Sequence, residues 1–157
     1  MALNMLTDWR RAQEDDGKRK VQHNLRSQSW QKPNDGWVKV NVDATCNQRD
    51  AIVGLRCVIR DEDGQFLRAR SSSVTRTMQP REAEALSMKE AFSWTQQWRV
   101  SKCVFESDAQ NLVDAINGHG GRSYFDTIVD DCKELLKHFT EVLVVYVPRS
   151  VNTDTHL

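Results

Sequence analysis

The sequence predicts an α/β domain, a mixed five-stranded sheet with helices packed on its faces. Three observations carry this expectation. Three short strand patterns follow one another with only turn sequences between them. The apolar period then switches from two residues to three and four, and from there strand and helix patterns alternate. Strands joined by tight turns pair antiparallel, whereas strand–helix–strand units cross over and pair parallel, so the sheet has to be mixed.

Residues 37–45 alternate, with Val38, Val40 and Val42 on one side and Trp37, Lys39, Asn41 and Asp43 on the other. That is the pattern of a half-buried strand, with Asp43 at its close. A second strand over 51–60 is rich in β-branched residues, and Gly54 within it marks a bulge or a close backbone approach. Asp61-Glu62-Asp63-Gly64 turns the chain into a third strand over 65–72. Over 81–98 apolar residues recur at helical spacing (Ala85, Met88, Phe92; Leu86, Ala91, Trp94, Trp98), and Pro80 suits the first turn. A fourth strand follows over 102–107, then a helix over 108–117 closed by Gly118, a helix over 126–139, and an apolar fifth strand over 141–147 that Pro148 ends. Asn152 reads as the N-cap of a last helix. Upstream, Leu3, Leu6 and Trp9 are spaced for a short helix over 1–13, and the polar, aperiodic stretch 14–35 reads as a linker. The chain divides into an N-terminal extension, 1–35, and one domain, 36–157.

The 157 residues suffice for one such domain without disulfide support. Basic and acidic residues number 22 each, so net charge offers no argument for nucleic acid. Residues 1–42 hold eight Lys and Arg against five Asp and Glu, which leaves 14 against 17 for the rest. Any nucleic-acid contact must therefore come from local clusters such as Lys18-Arg19-Lys20, whose plainer reading is a solvated tail. That triplet is too short to name as a nuclear signal. No apolar run reaches the roughly 20 residues that span a bilayer, so no membrane partner is expected. Cys46, Cys57, Cys103 and Cys132 form no C-x-x-C pair and no zinc spacing. They point to free thiols in a reducing, intracellular compartment, nuclear or cytoplasmic.

Open α/β sheets place their sites at the carboxyl ends of strands. Asp43 stands at the end of strand one, Asp108 directly after strand four, and Glu84 early in the long helix. If strands one and four are neighbours, the three carboxylates converge, and converging carboxylates are costly unless a cation sits among them. Oxygen-only ligands suit Mg²⁺ or Mn²⁺ and not zinc. Two such ions activate a water and stabilise the leaving oxygen of a phosphodiester. The plainer alternatives are that Asp108 caps a helix and Asp43 is a turn residue, and spacing alone leaves both open.

The segments GWVKVNVDAT, GLRCVIRDEDG, EAEALSMKEA, VFESDAQNLVDAI and VYVPRSVN-x-x-x-H occur in the order and spacing of a ribonuclease H type 1 domain. More narrowly, G-W-x-K-x-N-x-D, V-I-R-D-x-x-G and V-P-R-x-x-N resemble the ribonuclease H-like domains of plant retroelement-derived proteins. The resemblance covers about residues 36–157. It implies a sheet ordered 3-2-1-4-5 with strand two antiparallel, and a Mg²⁺-dependent endonuclease (Mn²⁺ also serving) that cuts the RNA strand of RNA–DNA hybrids. The family's first catalytic aspartate falls on Asp43, its glutamate on Glu84 and its strand-four aspartate on Asp108, with Glu90 at a later acidic position and Glu82 a register competitor. All three would ligate metal. Its last metal-ligand aspartate falls on His156, which would stand at the fourth catalytic corner. Asp154 is acidic but about half a helical turn out of register.

The same resemblance implies a hybrid, or another nucleic acid, as partner for what is expected to be a monomer. Shape and the 2′-hydroxyl mark the RNA strand, and Asn41, Lys39, Gln79 and Arg149 are the candidate contacts. Three departures stand against it. Pro148-Arg149-Ser150-Val151 replaces the Gly/His-containing loop of cellular members, the stretch 126–137 carries no basic Trp-bearing protrusion, and the last helix looks truncated at Leu157. His119 reads as a surface residue. The rival expectation is a domesticated, catalytically weak or inactive domain that binds nucleic acid or protein without cutting.

Overall fold

The computed structural model describes residues 33–118 and 121–152. The expected helix over 1–13, nearly all of the linker, Lys18-Arg19-Lys20, His119, Asp154 and His156 lie outside the described residues. Five strands and four helices follow in the order β1 (Val38–Asn47), β2 (Ile52–Arg60), β3 (Phe66–Thr75), α1 (Pro80–Gln97), β4 (Lys102–Ser107), α2 (Gln110–Ile116), α3 (Tyr124–Leu136), β5 (Glu141–Tyr146) and α4 (Arg149–Asn152). The sheet order is β3-β2-β1-β4-β5. β2 pairs antiparallel with both β1 and β3, while β1·β4 and β4·β5 are parallel. This is the expected mixed sheet.

Local chemistry sets the turns. The Asn47 side chain accepts from the Asp50 N–H at 3.1 Å and donates to the Asp50 carboxylate at 2.9 Å, folding β1 back into β2. At the next turn Asp61 Oδ1 accepts from the N–H groups of Asp63 (2.9 Å) and Gln65 (2.8 Å), and Gly64 takes φ +78°. Gly54 is a close approach and not a bulge. Its ladder with Thr45 is unbroken, and a Cβ there would collide with the Thr45 hydroxyl. The irregularity falls instead between Ile59 and Arg60 against β3.

α1 is the helix that organises the core. It opens at Pro80, and the Glu82 carboxylate accepts from the Gln79 N–H at 2.9 Å, closing its first turn. Ala83, Ala85 and Ala91 let it lie close on the sheet, with Met88 and Phe92 fully buried beneath. Phe92, Phe105 and Phe139 meet edge to face, with centroids 4.6 to 6.1 Å apart. Phe92→Ala is expected to cost about 3–5 kcal/mol, read as a lower urea midpoint at unchanged slope.

Three expectations shift. β1 is buried on both sides, because as the central strand it has layers over each face: Val40 and Val42 are covered, and so are Lys39 and Asn41. α3 starts two residues early, since the Ser123 hydroxyl accepts from the Asp126 N–H while the Asp126 carboxylate accepts from the Ser123 N–H. Asn152 is not an N-cap. α4 opens straight after Pro148, whose carbonyl accepts from the Val151 and Asn152 N–H groups, and Asn152 is already helical.

Candidate metal centre

Asp43 does not close β1; it lies mid-strand. What ends there is the neighbour: the β1·β4 ladder stops at Asn41↔Glu106, whereas β1·β2 continues to Asn47. Asp43 therefore sits at the level where β4 has run out, beside the chain that leaves it. Ser107 Oγ accepts from the Ala109 N–H at 3.1 Å, and Ala109 is the N-cap of α2. Asp108 is thus not a helix cap, and its side chain is left for the sheet end. α1 is tied to the same place by Ser87 Oγ, which donates to the Asp43 carbonyl at 2.7 Å. One turn earlier on that helix stands Glu84, whereas Glu82 is spent on the cap.

Asp43, Glu84 and Asp108 each bring a carboxylate oxygen to within 4.8 Å of the others. At an effective dielectric near 20, each such pair of charges repels by about 3 kcal/mol. Glu84 shows the largest response. Burial, then the charges of Asp108 and Asp43, push its carboxyl up to about 8, against the opposing pull of the Ala44 N–H and of Arg149. Its Oε2 is buried with no hydrogen-bond partner. Burial and the Asp43 charge likewise raise Asp108, with Arg149 opposing. An orphaned buried oxygen within three crowded carboxylates fits a hard divalent cation, which would accept the lone pairs and cancel the repulsion. Asp108 opens on a cleft of about 390 Å³ shared with Arg81, Gln110 and Asn111. On the other side Asp43 opens on a hollow of about 50 Å³ beside Gly54, Arg56 and Ser71.

The residues expected to reach nucleic acid divide. Gln79 and Arg149 are exposed, and the Arg149 charge already acts on Glu84 and Asp108. Lys39 and Asn41 are interior. Lys39 Nζ lies 3.3 Å from Glu106 Oε1, and Asn41 Nδ2 donates to Glu106 at 3.5 Å and to Asn152 Oδ1 at 3.1 Å. Burial raises the Glu106 carboxyl, and Lys39 and Asn41 pull it back. Asn152 in turn donates to the Val42 carbonyl at 3.0 Å, pinning α4 against β1 one residue before Asp43. Sequence reasoning passed over this Asn152 contact, because only the three-dimensional return of the chain places it against β1. Lys39→Met would leave Glu106 buried without its cation. The expected cost is about 3–5 kcal/mol in urea unfolding, recovered when Glu106→Leu is added.

The chain resembles solved ribonuclease H structures at low sequence identity. The ribonuclease H1 of Halobacterium salinarum superposes with a TM-score of 0.69 at 17% identity, covering 76% of this chain and 91% of that one. The N-terminal ribonuclease H domain of a Mycobacterium tuberculosis protein gives 0.66 at 16%, covering 76% and 87%. A ribonuclease H1 isolated from compost, solved with an RNA/DNA hybrid, gives 0.66 at 15%, covering 75% and 90%. At such identities the likeness establishes the fold. No curated protein matches the chain in sequence. A family profile described as reverse transcriptase-like matches residues 41–156, most of the chain. With that match and the 3-2-1-4-5 sheet together, the chain belongs to the reverse transcriptase-like family of ribonuclease H fold.

Proposed function

We propose that the chain is a metal-dependent endonuclease that cleaves the RNA strand of RNA–DNA hybrids, with residues 36–157 as its domain. The observation that carries the reading is the meeting of Asp43, Glu84 and Asp108 from β1, α1 and the end of β4, with one Glu84 oxygen unpartnered. These three would hold Mg²⁺ or Mn²⁺, which when bound activates water and stabilises the leaving oxygen of a phosphodiester. The chain's own contribution is placement. Ser87 fixes the β1 backbone at Asp43, Ser107 frees Asp108 from capping, and the Ala44 N–H favours the charged form of Glu84. Arg149, exposed beside the cluster, supplies positive charge for a phosphate. His156 would stand at the fourth corner, and Gln79 at the start of α1 within reach of the strand. Lys39 and Asn41 would act from the interior, by holding β1.

The hybrid as substrate follows the compost enzyme, which was solved with one. A non-cleaving, nucleic-acid-binding reading has one observation in its favour: Arg149 already offsets the carboxylate charge without a metal. One experiment separates the two. The whole chain is incubated with a hybrid labelled on both strands, in Mg²⁺, Mn²⁺ or EDTA. Metal-dependent loss of the RNA strand alone is the expected result. An intact hybrid that still binds would replace the nuclease with the binding domain.

A further inference from the structure

The sheet carries a second charged feature, away from the carboxylates. β3 is an edge strand exposed along nearly its whole length. On its helix-covered side Arg68 lies over the Trp98 ring at 5.4 Å and Arg70 over Trp94 at 4.7 Å. Where β3 ends, Arg76 lies over Tyr124 at 4.8 Å, and in the first turn of α1 Arg81 lies over Phe125 at 5.1 Å. Four arginines on four aromatic rings thus run from the foot of β3 to the cleft that Asp108 and Arg81 share.

All four arginines are exposed, and none forms an ion pair with another described residue. Arg81 acts on the carboxylate of Asp126, which is already engaged with Ser123. A guanidinium over a ring is held in place by the ring's quadrupole, while its N–H edge stays open to an anion. Bases stack on guanidinium planes as they do on aromatic ones. Arg68 and Arg70 share one side of the strand, about 6.7 Å apart, and Arg76 follows its last residue, Thr75, about 27 Å from Arg68 at strand spacing. Ser72 and Val74 lie between, so positive charge stands at both ends of an extended row. It matches an extended single strand, whereas the backbone of a duplex would wind away from it.

We propose that the helix side of β3 binds single-stranded nucleic acid, with Arg68 and Arg70 on Trp98 and Trp94 as its centre and Arg76 and Arg81 leading toward the cleft. The proposal rests on the nuclease reading only for where the strand leads. Binding to β3 stands without cleavage. The surface contributes phosphate contacts and stacking, so its affinity depends on salt and tolerates any base sequence.

The test uses the whole Asp43→Asn chain in EDTA, which removes cleavage from the measurement, and a fluorescein-labelled oligothymidine of about 20 nucleotides, long enough to cover such a row. Anisotropy is followed across about 50 to 200 mM salt. Adding Arg68→Gln and Arg70→Gln is expected to weaken binding about tenfold or more. The slope of log affinity against log salt should fall by about 1.4, two single-strand phosphate contacts at about 0.7 each. Arg68→Lys with Arg70→Lys should keep the slope and still lose affinity, because an ammonium offers no plane to stack on. The glutamine pair binding with unchanged affinity and slope, while melting at the parent temperature, would overturn the proposal. So would lysine variants that bind as tightly as the parent, or polyglutamate displacing the strand as well as unlabelled oligothymidine does. Failure of the nuclease reading would appear elsewhere, as an intact hybrid in the metal-dependent assay.

Discussion

Asp43→Asn is expected to lower hybrid cleavage about a thousandfold or more while leaving hybrid binding in place. The substitution keeps size but replaces one anionic, accepting oxygen with a neutral, donating amide in a cluster whose members lie within 4.8 Å of one another. A bound cation contributes several kcal/mol of charge stabilisation to a phosphodiester transition state. Losing about 4 kcal/mol of it is a factor of about 10³ in rate. The same change relieves repulsion on Glu84 and Asp108, both of which the Asp43 charge drives upward. The variant should therefore melt higher than the wild type in EDTA. Single-turnover cleavage, hybrid anisotropy and a melting curve read the three effects separately. Cleavage within tenfold of wild type would place the chemistry outside this cluster. A loss of rate accompanied by a lower melting temperature would mean that Asp43 serves the fold instead.

Convergence of these acids was readable in the sequence because Asp108 follows a strand directly and Glu84 stands on the helix that crosses the sheet, and the family resemblance supplied the register. That Asp43 lies mid-strand, at the level where β4 has run out, needed the sheet order. Spacing to Glu90 favoured Glu84 over Glu82, and the start of the helix agrees, since the Gln79 N–H takes the Glu82 carboxylate while Glu84 meets Asp43 and Asp108. Alternation along β1 separated Val40 from Asn41 correctly, but a period of two says only that there are two faces. That both are covered follows from the central place of β1, and so the Lys39–Glu106 pair and its Asn41–Asn152 neighbour were invisible in one dimension. The arginine–aromatic pairs were hidden for a related reason. Arg70 and Trp94 are far apart in sequence, and only the β2·β3 register and the lie of α1 bring them together. Net charge, zero over the whole chain, gave no hint of a basic row on one edge.

Glu84→Gln is expected to reverse the usual sign of an active-site change, raising stability at alkaline pH while abolishing cleavage. The Glu84 carboxyl is pushed from 4.5 to about 8 in the folded chain. Between those values the folded protein keeps a proton that the unfolded chain has released, so the folded state binds more protons and stability falls as pH rises. Without metal, the wild type should lose stability progressively from about pH 4.5 to about pH 8 and level off above, by at most about 5 kcal/mol for a shift of this size. Glutamine carries no charge to desolvate or repel, so the variant should lack that decline and melt higher than wild type at pH 9 in EDTA. Divalent cation should restore the wild type, because an ion bound only by the folded state stabilises in proportion to the logarithm of its concentration over its dissociation constant. The variant, short of one ligand, should gain much less. Melting curves from pH 4 to pH 9, with EDTA and with Mg²⁺ or Mn²⁺, supply both readings. Parallel profiles for the two proteins in EDTA would show that Glu84 is not the group carrying the strain. A Mg²⁺ or Mn²⁺ response untouched by the substitution would remove Glu84 from the ligand set.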